Sequence, residues 1–391
     1  MDRRLLARAM VVFIVVLTST GVISRGQQIP AAPQTAPPET VRAITKPVRP
    51  LPVESESANV TKFSFIAYGD TRGRQDGTAL QYEHSMIVDS MLTTIKALDA
   101  TDAPVKFVLQ SGDAVVNGGN AAQWNRSFVD LINRLTAGAG VPYFLAPGNH
   151  DVTSSADLNA PGRLNGLRNY LSATSDLIPP DGASRRLSGY PAYAFGYGNT
   201  FIVAFDSNIA ADDVQFNWVK AQLEGLDRAR FPNVIAFFHH PVLSSGPHGG
   251  STVEPATLAI RTRYEPLFRQ HHVRMTITGH EHLYEHWVER YEDSTGRHRI
   301  DHVVTGGGGA PLYSYQGEPA LREFIAAGAA NKVAMQHLVK PGPLPGDNPY
   351  HYVVLHVDGD DIQLEVIGVD WGRGFAPYRS ARQQLKDGGG R

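Results

Sequence analysis

The sequence predicts an α/β protein to which an antiparallel portion is added. Short apolar runs such as FSFIAY at 63–68 have the length and composition of buried strands. Segments with a helical spacing of apolar residues lie between several of these runs, at 79–98, 121–136, 213–224 and 255–270. A strand, an Asp-Gly turn and a second strand follow at 350–370. Strands that alternate with helices are typical of βαβ units with a parallel sheet, and the hairpin adds antiparallel strands.

The chain begins with a basic segment followed by an apolar one. Arginines at 3, 4 and 8 precede a largely apolar run from Ala9 to about Ile23, which is the pattern of a signal peptide. A run of about fifteen apolar residues is short for a membrane span. Two interpretations of 1–26 stay open, a cleaved signal peptide or an uncleaved anchor. Both predict an exported protein, periplasmic or extracellular, which is tethered to a membrane only if the segment is uncleaved.

The remainder of the chain divides by composition. Residues 27–58 are rich in proline, alanine and threonine, and because proline disfavours helices and sheets we expect an extended linker there. A globular domain is expected over 59–375, and a C-terminal tail over 376–391. Within the domain, residues 152–200 are rich in Asn, Ser, Gly and Arg and are expected to form a cap or loop over the site.

Charge and cysteine content exclude several classes of function. The formal net charge is −2, so no excess of basic residues indicates binding to nucleic acid. The chain has no cysteine, which excludes disulfides, thiolate zinc sites and cysteine nucleophiles. Any metal must therefore be held by His, Asp, Glu, Asn or backbone atoms.

Apolar runs repeatedly end in a short polar cluster. His280 and His282 follow one of these runs two residues apart, a spacing that places them on one face of an extended segment. In α/β sheets, functional side chains gather at the carboxyl ends of the strands. The spacing alone leaves a metal site and a polar turn as alternatives. The clusters are Asp70, Asp113, 148–151, 239–241 and 280–282.

The order of these clusters resembles that of the calcineurin-like metallophosphoesterases, in the branch of the purple acid phosphatases. The motifs are GD at 69–70, GD at 112–113, GNHD at 148–151, HHP at 239–241 and GHEH at 279–282. The resemblance extends from about residue 63 to about residue 310, and the hairpin at 350–370 is included in it. It implies a four-layer αββα sandwich, in which two mixed β-sheets are flanked by helices.

The resemblance also implies a dinuclear centre of divalent or trivalent metal ions, with Mn, Fe and Zn as candidates. It assigns Asp113 as the bridging carboxylate. The second metal is assigned to Asn149, His239 and His280, and the first to Asp70 and His282. His150 is implied to orient the phosphate or to protonate the departing alkoxide, and Asp151 is expected to hold His150 in one tautomer.

The first metal site departs from both known patterns. The family usually has D-x-H in its first motif, whereas this chain has Asp70, Thr71 and Arg72, and an arginine cannot ligate a metal. Purple acid phosphatases use a tyrosine three residues after the second aspartate, a position occupied here by Val116. Arg72 is then available to bind a substrate phosphate through two hydrogen bonds, and the alternative is a surface arginine in a loop.

His84 is a candidate for the missing ligand. It lies in phase with the apolar stripe of the predicted helix 79–98, near the start of that helix. The alternative interpretation is a buried histidine with one ordinary hydrogen-bond partner.

The function expected from the resemblance is phosphoester hydrolysis on a phosphorylated small molecule, most simply by a phosphatase. A metal-bridging hydroxide is expected to attack phosphorus in line with the leaving oxygen, without a covalent intermediate. Two alternatives stay open: an exported phosphodiesterase that acts on nucleotides or lipid headgroups, and a non-catalytic phosphate-binding module that lacks one metal.

Overall fold

The computed structural model describes residues 38–73, 81–155, 157–370, 372 and 374–378. From Glu39 onwards these residues belong to one compact unit. The predicted signal peptide or anchor at 1–26 and the tail beyond 378 lie outside the described residues. Among the helices of the described part, none combines the length and the hydrophobicity that a bilayer span requires.

The strands of the described residues fall into two mixed sheets. One has six strands in the order β14-β13-β12-β1-β2-β3, and the other has eight in the order β11-β9-β10-β8-β7-β6-β5-β4. In chain order they are β1 Lys62–Tyr68, β2 Val105–Gln110, β3 Tyr143–Leu145, β4 Arg186–Leu187, β5 Ala192–Tyr197, β6 Thr200–Ala204, β7 Asn233–Phe237, β8 Met275–Thr278, β9 Tyr284–Asp293, β10 Gly296–Thr305, β11 Ala334–Val339, β12 Tyr350–Asp358, β13 Asp361–Asp370 and β14 Gly374–Pro377.

Each sheet combines a group of parallel strands with antiparallel ones. The strands β1, β2 and β3 run parallel, and β12, β13 and β14 extend this sheet in antiparallel pairs. In the other sheet β6, β7, β8 and β10 run parallel, while β9, β11, β5 and β4 are antiparallel to their neighbours. The predicted hairpin at 350–370 is therefore present as β12 and β13.

Helices cover the outer face of each sheet. The regular helices are Tyr82–Asp99, Pro161–Thr174, Asp213–Glu224 and Arg322–Ala330. Two further helical stretches, at 121–139 and 255–270, alternate between α- and π-helical turns. Local signals explain where they begin. The side chain of Asn120 accepts the backbone N–H groups of Ala122 and Gln123, and Pro255 occupies the first turn of its helix.

The hydrophobic core consists of three layers. Along β1, Phe63 and Phe65 point between the two sheets, whereas Ile66 and Tyr68 point towards the helices. This alternation with a period of two follows from strand geometry, and both faces of β1 are buried. A third cluster packs the helices 213–224 and 255–270 on the eight-stranded sheet. Three apolar interfaces separate four layers, so the predicted αββα sandwich is confirmed.

The described part of the predicted linker packs against the domain. Residues 38–58 contain no helix or strand, but Ile44 is fully buried and its N–H donates to the carbonyl of Ala173 at 2.9 Å. The carboxylate of Glu54 pairs with Arg185 at 2.7 Å. Proline thus prevents regular hydrogen-bond ladders in this segment without preventing its side chains from packing.

Most of the segment 152–200, which was expected to form a cap or loop over the site, is instead part of the sandwich. The helix Pro161–Thr174 buries Tyr170 and Ala173 in the core on the outer face of the six-stranded sheet. The strands β4 and β5 extend the edge of the eight-stranded sheet. β4 pairs with β5, and β5 pairs with β6, which follows it at once in the chain. Hairpin pairing thus orders a segment whose composition suggested an irregular structure.

Candidate metal centre

The polar clusters meet at the carboxyl ends of strands from both sheets. Asp70, Asp113 and Asn149 follow β1, β2 and β3, whereas His239 and His280 follow β7 and β8. Asp70, Asp113 and His280 adopt left-handed backbone conformations with φ values of 59°, 56° and 70°. Such conformations cost of the order of 1 kcal/mol or more for residues other than glycine and concentrate at functional sites. The strain therefore coincides with three of the predicted metal ligands.

Two glycines of the motifs allow the loops to approach closely. A Cβ atom on Gly148 would lie 2.2 Å from the backbone nitrogen of Asp113, and one on Gly279 would lie 2.3 Å from Oδ2 of Asp70. Both distances are far below van der Waals contact. The glycines of GNHD and GHEH are thus required because a neighbouring loop occupies the space of a side chain.

Three side-chain atoms converge at the predicted second metal site. Nε2 of His239 and Nδ1 of His280 lie 2.9 and 3.1 Å from Oδ1 of Asn149, and 3.1 Å from each other. Oδ1 of Asp113 lies 3.5 Å from Nε2 of His239. All four predicted ligands of this site are therefore brought together.

The outer hydrogen bonds of these histidines identify which nitrogen faces the site. Nδ1 of His239 donates to the carbonyl of Ser111 at 2.9 Å, and Nε2 of His280 donates to the carboxylate of Glu254 at 2.9 Å. Burial lowers the pKa of His239 well below its usual value, so its ring is neutral. Nε2 of His239 then presents a lone pair to the oxygen of Asn149, an unfavourable contact that a cation between the two atoms would relieve.

The predicted first site has three candidate ligands. Nε2 of His282 lies 3.5 Å from Oδ1 of Asp70, and Nδ1 of His282 donates to the carbonyl of Pro311 at 2.7 Å. Oδ1 of Asp70 is buried and has no hydrogen-bond partner among the described residues. Burial, and next the charge of Asp113, raise the pKa of Asp70 well above its usual value. Asp113 is the third candidate ligand, and a cation would offset the unfavourable burial of the two carboxylates.

Arg72 lies inside the centre rather than on the surface. Its side chain is 4% exposed, and its Nε is 3.4 Å from Oδ2 of Asp113. Nε and Nη1 have no hydrogen-bond partner among the described residues. A buried guanidinium with unpaired donors can bind an anionic group that approaches the centre.

His150 lies beside the centre, but Asp151 does not hold it as predicted. Nδ1 of His150 donates to the carbonyl of Val116 at 2.8 Å, which leaves Nε2 at 3.9 Å from Oδ2 of Asp113. The carboxylate of Asp151 accepts instead the backbone N–H groups of Ala114, Val115 and Gly148. Asp151 thus joins the loop that follows β2 to the loop that follows β3, and the predicted role in fixing the tautomer is wrong.

The contacts of His84 support the interpretation as a buried core histidine. Nε2 of His84 lies 3.0 Å from the hydroxyl of Tyr68, and its ring stacks on Phe128 with 6.0 Å between the centroids. Burial lowers the pKa of His84 to about 3. Among the described residues, His84 is not part of any group of donor atoms that converge as metal ligands do. These contacts place His84 in the core beside Tyr68, and its buried Nδ1 has no hydrogen-bond partner among the described residues.

Glu254 is a residue of the site that the sequence did not reveal, and it links the site to His248, which the sequence left as either a substrate-facing or an ordinary loop residue. The carboxylate of Glu254 bridges His280 at 2.9 Å and His248 at 2.8 Å, and these hydrogen bonds hold the pKa of Glu254 well below its usual value. The ring of His248 lies 4.8 Å from the ring of His280. Both residues belong to the segment between β7 and the helical stretch 255–270, which is irregular apart from a π-helical turn at Pro247–Ser251. No periodic pattern there indicates which side chains face inwards.

Comparison with known proteins gives a family match and two relatives. The model of the family described as calcineurin-like phosphoesterase matches residues 83–284. Fe(3+)-Zn(2+) purple acid phosphatase 12 of Arabidopsis thaliana is 26% identical over 146 residues, which are 37% of this chain and 29% of that protein. Purple acid phosphatase PPD1 from seeds of yellow lupin (Lupinus luteus) superposes with a TM-score of 0.56 at 18% identity, over 82% of this chain and 53% of that one. The chain thus spans about a third to a half of the length of these relatives.

Proposed function

This chain belongs to the calcineurin-like phosphoesterase family, and we propose that it is a metal-dependent phosphoester hydrolase that acts as a phosphatase on a phosphorylated small molecule. The observation that carries the proposal is the convergence of His239, His280 and Asn149 within 2.9–3.1 Å of one another. The outer ring N–H groups of His239 and His280 donate away from the centre. The inner ring nitrogens then face the side-chain oxygen of Asn149 with their lone pairs, an arrangement that a metal ion stabilises.

The dinuclear centre predicted from the sequence is part of this proposal. One metal ion would be held by Asp113, Asn149, His239 and His280, and the other by Asp70, Asp113 and His282. Nitrogen and oxygen ligands of this kind suit iron, manganese and zinc, and the Arabidopsis relative is named as an Fe(3+)-Zn(2+) enzyme. When bound, the metal ions lower the pKa of a water molecule and neutralise the charge that develops on the phosphate. The expected reaction is direct attack on phosphorus without a covalent intermediate.

Arg72 would bind the phosphoryl oxygens. Its Nε and Nη1 are buried and lack partners among the described residues, so an incoming phosphate finds N–H donors already in place. Such charge-assisted hydrogen bonds are about twice as strong as neutral ones. The neighbouring carboxylate of Asp113 keeps the guanidinium beside the centre while the site is without substrate.

His150 would act on the leaving oxygen. Its ring is partly exposed, and the hydrogen bond from Nδ1 to the carbonyl of Val116 directs Nε2 towards the centre. When His150 is protonated, Nε2 can donate its proton to a departing alkoxide or a hydrogen bond to the phosphate. The direction of the ring therefore supports both roles that the sequence predicted.

The experiment that tests the proposal is the substitution Asp113→Ala. Because this carboxylate is shared between both proposed metal sites, we expect metal content and turnover to fall together, turnover by about a thousandfold or more. Metal per chain is measured by elemental analysis and turnover with an aryl phosphate. His84→Ala is the control and should keep the metal content of the wild type. Full activity in Asp113→Ala would refute the metal-dependent mechanism.

The same measurements separate the alternative functions. Two metal ions per chain support the hydrolase, whereas one metal ion and no turnover support the phosphate-binding module. A panel of aryl monoesters and diesters separates the phosphatase from the phosphodiesterase, since only the latter cleaves diesters efficiently.

A further inference from the structure

A cavity of about 510 Å³ opens beside the candidate metal centre. Its walls are mainly apolar and include Leu158, Ile209, Pro255, Ala256 and Ala259. We propose that this cavity binds the alcohol part of the substrate and that the preferred phosphoesters carry an uncharged, largely apolar alcohol such as an aryl group. The inference rests on the proposed function, and it names the chemical class of the substrate.

The wall of the cavity adjoins the metal centre at His280. His240 and Glu254 both line the cavity. The ring of His240 lies 4.4 Å from the ring of His280, and the carboxylate of Glu254 accepts a hydrogen bond from His280 at 2.9 Å. Two residues of the cavity wall thus contact a proposed metal ligand. Binding sites are commonly apolar clefts of this size with a few polar groups at one end.

Polar contacts hold the walls in place. The hydroxyl of Ser154 donates to Oδ1 of Asn208 at 2.7 Å, which joins two of the segments that line the cavity. Beneath them, Arg163 forms a fully buried ion pair with Asp206 at 2.6 Å, and Asp206 in turn accepts the side-chain amide of Asn208 at 2.8 Å. The cavity is thus formed before a ligand arrives, so little ordering is required on binding.

The charged residues that line the cavity favour an uncharged alcohol group on the substrate. Its ionisable carboxylates are those of Asp212 and Glu254, and neither lysine nor arginine is among the described residues that line it. A second phosphate or a carboxylate on the alcohol would therefore lack a cationic partner there. Asp212 caps the helix Asp213–Glu224, and Glu254 is paired with His248 and His280, so neither carboxylate requires an ammonium group from the substrate.

The proposal is tested by calorimetric binding of two phosphonates to the metal-loaded full chain. Methylphosphonate reaches only the metal centre, whereas phenylphosphonate also fills the cavity. We expect phenylphosphonate to bind the wild type about tenfold or more tightly, because the ring leaves water for an apolar surface. Ala256→Phe, which fills the cavity from the helical stretch 255–270, should bring this ratio of affinities close to one. Leu258→Phe is the matched control, since Leu258 is exposed and does not line the cavity.

Each outcome has a separate meaning. Equal affinities of the two phosphonates for the wild type, or an unchanged ratio in Ala256→Phe, would overturn the role of the cavity and leave the phosphoesterase proposal intact. Absence of binding by both phosphonates, together with absence of turnover, would overturn the proposed function itself. Ala259→Leu, a second variant that narrows the cavity, should lower the ratio as well, and thermal unfolding of both variants verifies that they are folded.

Discussion

At the scale of single residues, the site depends on which ring nitrogen of each histidine donates a hydrogen bond and which one faces the centre. His150, His239 and His282 each donate one ring N–H to a backbone carbonyl, and His280 donates to Glu254. The residue types and their places after the strands could be predicted from the motifs. The hydrogen-bond partners could not, because backbone carbonyls carry no signature in the sequence and Glu254 lies in an aperiodic segment. The backbone partners of Asp151 could not be predicted for the same reason, whereas the two interpretations of His84 could be weighed only against its contacts with Tyr68 and Phe128.

His150→Ala tests the role of this imidazole at the leaving oxygen. We expect the metal content to be retained, because Nε2 of His150 lies 3.9 Å from Asp113 and is not one of the converging donors. Turnover of alkyl phosphates should fall by about a hundredfold or more, as is typical when a general acid is lost. Turnover of an aryl phosphate with an acidic phenol should fall less. The measurement is kcat across a series of leaving groups at constant metal loading.

An equal loss of turnover across the series would remove the acid role and leave only the orientation of phosphate. His150→Gln is a useful companion variant. It keeps a polar side chain near the phosphate but cannot supply a proton, so its leaving-group dependence should match that of His150→Ala.

At the scale of elements, the predicted helices 213–224 and 255–270 agree with the observed bounds, and the prediction 121–136 ends three residues before the observed end at 139. Local signals such as the capping Asp212 and the first-turn Pro255 account for this agreement. Segments without local periodicity were not predictable. The strands β4 and β5 within 152–200 depend on successive pairing with each other and with β6, and the segment 242–254 contains only a short π-helical turn, Pro247–Ser251.

Glu254→Gln tests whether this irregular segment positions a metal ligand. The carboxylate accepts the Nε2–H of His280 and so keeps Nδ1 directed at the centre. Partners of this kind typically contribute about 10–100-fold in metal affinity. We therefore expect the dissociation constant for metal to rise by that factor, measured by competition with a chelator. Glu224→Gln, at an exposed carboxylate paired with Lys220, is the control. An unchanged metal affinity would mean that Glu254 has no positioning role.

At the scale of the whole molecule, buried neutral histidines make the stability of the fold dependent on pH. Burial lowers the pKa of His351 to about 4, against an ordinary value of 6.5. The unfolded chain therefore binds a proton at this residue more readily than the folded chain does. Above pH 6.5 the free energy of unfolding is unaffected by this difference in pKa. As the pH falls towards 4, it decreases by about 3 kcal/mol for a shift of this size. The burial of His84 acts in the same direction.

His351→Asn should reduce this dependence. Asparagine can replace the hydrogen bond to the carbonyl of Pro349 but does not titrate. The free energy of unfolding, measured in urea between pH 7 and pH 4, should fall less steeply in the variant than in the wild type. His356→Asn, at a partly exposed histidine of the same strand, is the control. Identical slopes for the wild type and His351→Asn would contradict the prediction.

The αββα arrangement was implied by the order of the motifs, whereas the division of ligands between the sheets is visible only in the fold. Asp70 and Asp113 follow strands of one sheet, and His239, His280 and His282 follow strands of the other. A chain in which β8 has not yet emerged lacks two of these five residues, His280 and His282. Both proposed metal sites would therefore be complete only after β8 has joined its sheet. Since such ligands accept several metals and availability decides among them, the metal bound would depend on which ion is available once both sheets have formed.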